Sequence, residues 1–150
     1  MLRKMVQLWH GAALMALLLP MQAIAAPIAA TMYKNPDCTC CEGYAEYLRT
    51  NGFKVEVKVS PDLRAFNHKN GIPDALEGCH TMFVKGYIIE GHVPIDAIHK
   101  LLASHSKIRG ISIPGMPTGV PGMEGPREGP IAIYEIADGA AKPKAFMTLP

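Results

Sequence analysis

Beyond residue 25 the chain has no apolar run long enough to cross a bilayer, no internal repeat, no block of like charge and no net charge. Each absence removes a class of function. A spanning helix needs about 20 consecutive apolar residues, so a membrane-embedded body is excluded and a soluble one is expected. The charge balance removes nucleic acid as a partner. Of the 15 Lys and Arg, Arg3 and Lys4 lie in the first 25 residues, and the rest equal the 13 Asp and Glu in number. A nucleic-acid binder carries a basic excess instead.

Those first 25 residues have their own pattern. Arg3 and Lys4 precede the uncharged stretch from Gly11 to Leu19, and Ala23-Ile24-Ala25 follows as a small–x–small signature. This is the layout of a secretory signal peptide, with cleavage expected after Ala25 and a periplasmic location for the remainder. Residues 26–150 are a comfortable size for one domain with one core.

The cysteines are few and crowded. Three of the four, Cys38, Cys40 and Cys41, fall within four positions, and Cys79 stands apart. An exported chain with an even cysteine count invites a disulfide framework, but bridges among neighbours close short loops and add little stability. Such crowding points to metal or redox chemistry.

Patterning outlines the elements. Residues 26–30 read as a leader and Thr31–Tyr33 as a brief strand. Asn35-Pro36-Asp37 is a turn whose Asp37 can cap a helix. Tyr44, Ala45 and Leu48 then share a helical face, and Asn51-Gly52 ends it. Phe53–Val59 alternates apolar with charged residues, as a half-buried strand does. Ser60-Pro61-Asp62 opens a second helix, with proline in its first turn, that carries Leu63 and Phe66. Thr81–Val84 and Tyr87–Glu90 flank Lys85-Gly86, a hairpin signal. Pro94 opens a third helix with Ile95, Ile98, Leu101 and Leu102 inward. Residues 110–130 form a Pro/Gly-rich loop, too long for a mere connection, and Ile131–Ile136 is an extra C-terminal strand. The order β-α-β-α-β-β-α predicts an α/β, thioredoxin-like fold with helices on both faces of one sheet.

That order places the sulfurs. Cys38-Thr39-Cys40-Cys41 sits at the start of the first helix, where unpaired amides and the helix dipole favour thiolate. Cys38 and Cys41 alone have the Cys-x-x-Cys spacing of a thiol–disulfide oxidoreductase, and Cys40 adds a donor that a redox pair does not need. Cys79-His80 occupies the position before the hairpin, where the thioredoxin-like fold normally has a proline; none is present here, which weakens ordinary dithiol exchange. Cys79 then falls beside the other cysteines. Soft thiolates select copper(I), zinc or iron–sulfur clusters. His80, next to Cys79, and His92, in a Gly-x-x-Pro turn, are candidate ligands. So are the thioethers of Met116 and Met123 in the long loop, whose alternative role is packing. His68, His99 and His105 are expected on helix exteriors.

The motifs Cys38-Thr39-Cys40-Cys41, Gly71-Ile72-Pro73, Cys79-His80-Thr81, Gly91-His92-Val93-Pro94, Pro114-Gly115-Met116-Pro117 and Pro121-Gly122-Met123-Glu124 together resemble the CopG-like family of exported copper-resistance proteins. The resemblance runs from about Met32 to Tyr134. It implies a thioredoxin-like fold and periplasmic copper binding through the cysteines, and it alone favours copper over zinc. The implied cargo is copper(I), held or passed on, with thiolates able to bridge more than one ion; other periplasmic copper-handling proteins are the implied partners. The alternative function is a thiol–disulfide or copper-redox oxidoreductase using Cys38 and Cys41.

Overall fold

The computed structural model describes residues 26–139 and 142–150, so the proposed signal peptide lies outside the described residues. The elements are β1 (Ile28–Lys34), α1 (Thr39–Thr50), β2 (Phe53–Val59), α2 (Leu63–Lys69), a 3-10 turn (Asp74–Leu76), β3 (His80–Val84), β4 (Tyr87–Glu90), α3 (Ile95–Ser104), β5 (Gly110–Ser112), β6 (Ile131–Ile136) and β7 (Ala145–Leu149). Among the described residues they form one seven-stranded sheet in the order β2-β1-β3-β4-β5-β6-β7. The β1–β2 and β4–β5 pairs are parallel and the others antiparallel. No helix among the described residues is long and apolar enough to cross a membrane.

Strand alternation sorts side chains onto two faces. Ala30 and Met32 of β1, Met82 and Val84 of β3, Ile89 of β4, Ile111 of β5 and Ile133 of β6 join the larger core. Cys41, Tyr44, Ala45 and Leu48 of α1 and Ala97, Ile98 and Leu101 of α3 cover that face. The α1 positions are spaced by three, four and seven residues and the α3 positions by three and four, so each helix presents one stripe. On the opposite face Phe66 of α2 stacks on Tyr33 with ring centroids 4.4 Å apart. Ile72, Leu76, Ile88 and Ile136 form a second, smaller cluster there. Helices thus lie on both faces, as the pattern predicts.

Several boundaries differ from the sequence reading. Residues 28–30 of the expected leader belong to β1, because Ile28 and Ala30 pair with Phe53 and Val55. Asp37 does not cap α1. The turn uses one residue more, with Cys38 N–H bonded to Asn35 O at 3.3 Å, and Cys38 becomes the N-cap. Pro61 stands before α2 rather than within it, since Asp62 is the cap and its carboxylate accepts from Ala65 N–H at 2.9 Å. The loop begins after β5, and β7 adds a further strand. Gly110 is required in β5: any Cβ there would collide with the Ile88 backbone.

Candidate metal centre

The end of β1, the start of α1, the loop before β3 and the turn after β4 converge on one point. Cys38 is the N-cap of α1, and Cys40 and Cys41 lie in its first turn. Cys79 directly precedes β3, and His80 begins it. The chain can bring Cys79 to His92 because two glycines cross: a Cβ on Gly78 would sit 2.8 Å from Gly91 Cα. Gly91 adopts φ +71, a conformation glycine reaches without steric cost. Glu90 pins the same loop, its Oε1 accepting from Gly78 N–H at 2.7 Å.

The four Sγ atoms lie within 4.8 Å of one another. Cys38 and Cys41 are joined in a disulfide, and Cys40 and Cys79 are free. The four-thiolate arrangement read from the sequence is therefore the two-electron-reduced form of this cluster. Each free thiol sits 3.5 Å from one sulfur of the bridge, Cys40 beside Cys38 and Cys79 beside Cys41.

A second donor group shares two of these sulfurs: Cys41, Cys79, His80 and His92 also converge within 4.8 Å. His92 Nε2 is 3.1 Å from Cys79 Sγ. Its Nδ1 lies 2.7 Å from the Pro121 carbonyl, which can only accept. The proton therefore resides on Nδ1, and the Nε2 lone pair is directed at the sulfur. His80 Nδ1 is 3.5 Å from the same sulfur, whereas its Nε2 is buried with no hydrogen-bond partner. The His80 ring stacks on Tyr44 at 4.8 Å between centroids, and Tyr44 is held by its own bond to Val93 O at 2.7 Å.

Burial governs the charges. It lowers the His80 pKa to about 3, with the neighbouring His92 adding to the effect. His92 is lowered too, mainly by burial and against the Pro121 hydrogen bond. Both imidazoles are neutral at physiological pH, the form that ligates metal. Burial, with Cys40 nearby, pushes the Cys79 thiol up to about 12. A metal at Cys79 must displace that proton.

The long loop closes one side. Val120 is buried, and Gly122 lies against the first turn of α1, where a Cβ would be 2.7 Å from Tyr44 N. Met123 is half-buried and lines a cleft with Thr39 and Cys40. Met116, 57% exposed, lines another with Cys38, Cys40 and Cys79. Both clefts meet at Cys40. His68, His99 and His105 are exposed, as predicted. His68 lies 2.7 Å from Asp74, and Arg64 pairs with Asp74 and Glu77, an ion-pair network on the other face.

The sequence reading missed three contributors. Tyr44, on the helical face of α1, also carries the stacked His80 ring. The Pro121 carbonyl fixes the His92 tautomer. Lys34, at a core-facing position of β1 and 5% exposed, donates to the carbonyls of Asn35, Pro36 and Cys38. A lysine continuing the apolar phase of Ala30 and Met32 is the signal that could have found it.

The fold is a mixed α/β domain, and its clustered sulfurs and imidazoles are a donor set that could hold a soft, low-coordinate cation. Two solved structures, forms 1 and 2 of "Copper resistance protein copG", are each 33% identical to this chain with a TM-score of 0.75. They match over 83% of this chain and 98–99% of theirs. A family model described as "Protein of unknown function, DUF411" matches residues 76–123. No curated protein matches the chain. The chain belongs to the CopG family of copper-resistance proteins.

Proposed function

We propose that this is an exported, periplasmic protein that holds or passes copper(I) and contributes to copper resistance. One observation carries the reading: a group of four cysteine sulfurs and a group of two sulfurs with two buried imidazoles share Cys41 and Cys79. Copper(I) prefers soft, neutral or anionic donors in low coordination number. In the reduced protein Cys38, Cys40, Cys41 and Cys79 supply thiolates that can bridge more than one ion, and His80 and His92 supply nitrogen. Met116 and Met123 complete the open side. Other periplasmic copper-handling proteins are the partners that would deliver or remove the metal. The test is anaerobic titration of the reduced protein with copper(I) against a chromogenic chelator. Tight stoichiometric binding is expected. Binding no tighter than that of a variant with all four cysteines replaced by serine would reject the reading.

The disulfide between Cys38 and Cys41 favours a second reading, a thiol–disulfide or copper-redox oxidoreductase using that pair. Vigorous dithiol exchange by the metal-free protein, abolished in Cys38→Ser, would promote it above the first.

A further inference from the structure

Lys34 ties down the turn of Cys38, and its buried charge is not used by the copper reading above. In β1 it pairs across from His80, the residue after Cys79. Its Nζ lies 3.5, 3.2 and 3.4 Å from the carbonyls of Asn35, Pro36 and Cys38, and 3.1 Å from Glu42 Oε1. The ammonium is thus anchored to the turn that carries the first cysteine.

We propose that Lys34 is a specificity-determining residue that biases the cysteine centre toward monovalent over divalent cations. The inference rests on reading the cluster as a metal site. Its basis is the unequal setting of the two charges. The Lys34 side chain is 7% exposed and that of its partner Glu42 57%. The carboxylate is surrounded by water and its field is screened, whereas the ammonium acts through protein, where charges interact more strongly. The field reaching the cluster from this pair is therefore positive. Attraction between the ammonium and the thiolates is present whichever metal binds. Repulsion between the ammonium and the metal scales with the metal's charge, so a divalent ion loses twice what a monovalent ion loses. Lys34 thereby separates copper(I) from zinc(II), which the same donors would otherwise accept.

A purely mechanical role makes a different statement. If Lys34 only ties down the turn, its loss loosens the site for both metals by a common factor. The ratio of affinities tells the two apart. Copper(I) and zinc(II) are titrated separately into the reduced full-length protein by chelator competition. In Lys34→Met the copper(I)-to-zinc(II) preference is expected to fall about tenfold, the size of a nearby partly buried charge effect. Lys34→Arg retains the charge and is expected to restore most of the preference. Glu42→Gln removes the opposing exposed charge and should raise the preference by about twofold. An unchanged ratio in Lys34→Met overturns the proposal, whatever happens to the separate affinities. Should Lys34→Met fail to fold, the exposed Glu42→Gln variant decides, and an unmoved ratio there also overturns it. A parent protein that binds neither metal overturns the metal-site reading and this proposal with it. A parent that binds copper(I) while the variant ratios stay fixed overturns this proposal alone.

Discussion

Cys41, Cys79, His80 and His92 form the inner half of the centre, and each is buried. Cys38 and Cys40 are half-buried and Met116 is exposed, and with Met123 they form an outer half bordering two clefts. The inner donors are held from several sides: by the Gly78–Gly91 crossing, the Tyr44 stack and the Pro121 carbonyl. The outer donors sit on a helix start and a loop. The contrast is what the proposed copper(I) role would require, a site that grips a cation yet exchanges it. Preorganised, desolvated donors set affinity, and accessible soft donors give an incoming chelator or partner a place to attack.

The largest expected effect breaks the inner half. Cys79→Ser replaces a soft donor by a hard one at a sulfur that both donor groups share. Copper(I) affinity should fall roughly a hundredfold or more, against about tenfold for Cys40→Ser in the open half. Equal losses, measured by chelator competition, would erase the distinction between the halves.

Acid should act on the inner half next. The folded-state pKa of His80 is about 3 against an ordinary 6.5. Between those values the unfolded chain binds a proton that the folded one refuses. The stability linked to His80 is complete above pH 6.5 and is lost as pH falls toward 3, at about 1.4 kcal/mol per pH unit. His92 acts in the same direction. Glu90 opposes them, because burial raises its pKa to about 7, so the fold gains stability from it as pH falls from 7 to 4.5. The informative quantity is therefore the difference between parent and His80→Phe in urea denaturation of the metal-free protein at pH 7, 6 and 5. The variant should lose stability less steeply with acid; parallel curves would contradict the buried neutral imidazole.

A gentler probe reads exposure directly. In the disulfide form iodoacetamide should modify Cys40 roughly tenfold or more faster than Cys79, whose thiol is buried and raised to about 12. Peptide mapping that found the two equally reactive would place Cys79 at the surface.

The smallest effect belongs to the thioethers. Met116→Leu combined with Met123→Leu conserves volume and removes both sulfurs. We expect copper(I) affinity to drop only about threefold, with faster air oxidation of the bound metal. No change in either would assign both methionines to packing.

The helical stripe of Tyr44, Ala45 and Leu48 and the hairpin around Lys85-Gly86 were legible because their signals are local. Periodicity and turn residues lie within a few positions of what they specify. β5 and β7 were not. A three-residue Gly-Ile-Ser segment has too little alternation to declare itself, and it is a strand because Ile88–Glu90 pairs with it. The same limit hid the burial of His92. Its Gly-x-x-Pro setting looks like an exposed turn, and only the arrival of Pro121, far along the chain, covers it.

The amino-acid sequence by itself determined the donor types, the helix start that presents three cysteines and the membership of Cys79-His80 in the same cluster. Those follow from local chemistry and element order. Tertiary structure alone decided which nitrogen of His92 faces the sulfur, that His80 Nε2 is buried without a hydrogen-bond partner, and that Lys34 is folded inward over the cysteine turn. Each depends on a contact between residues distant in the chain. Burial converts such contacts into neutral imidazoles, a protonated thiol and a largely buried ammonium, because desolvation acts on where a group ends up and not on its neighbours in sequence.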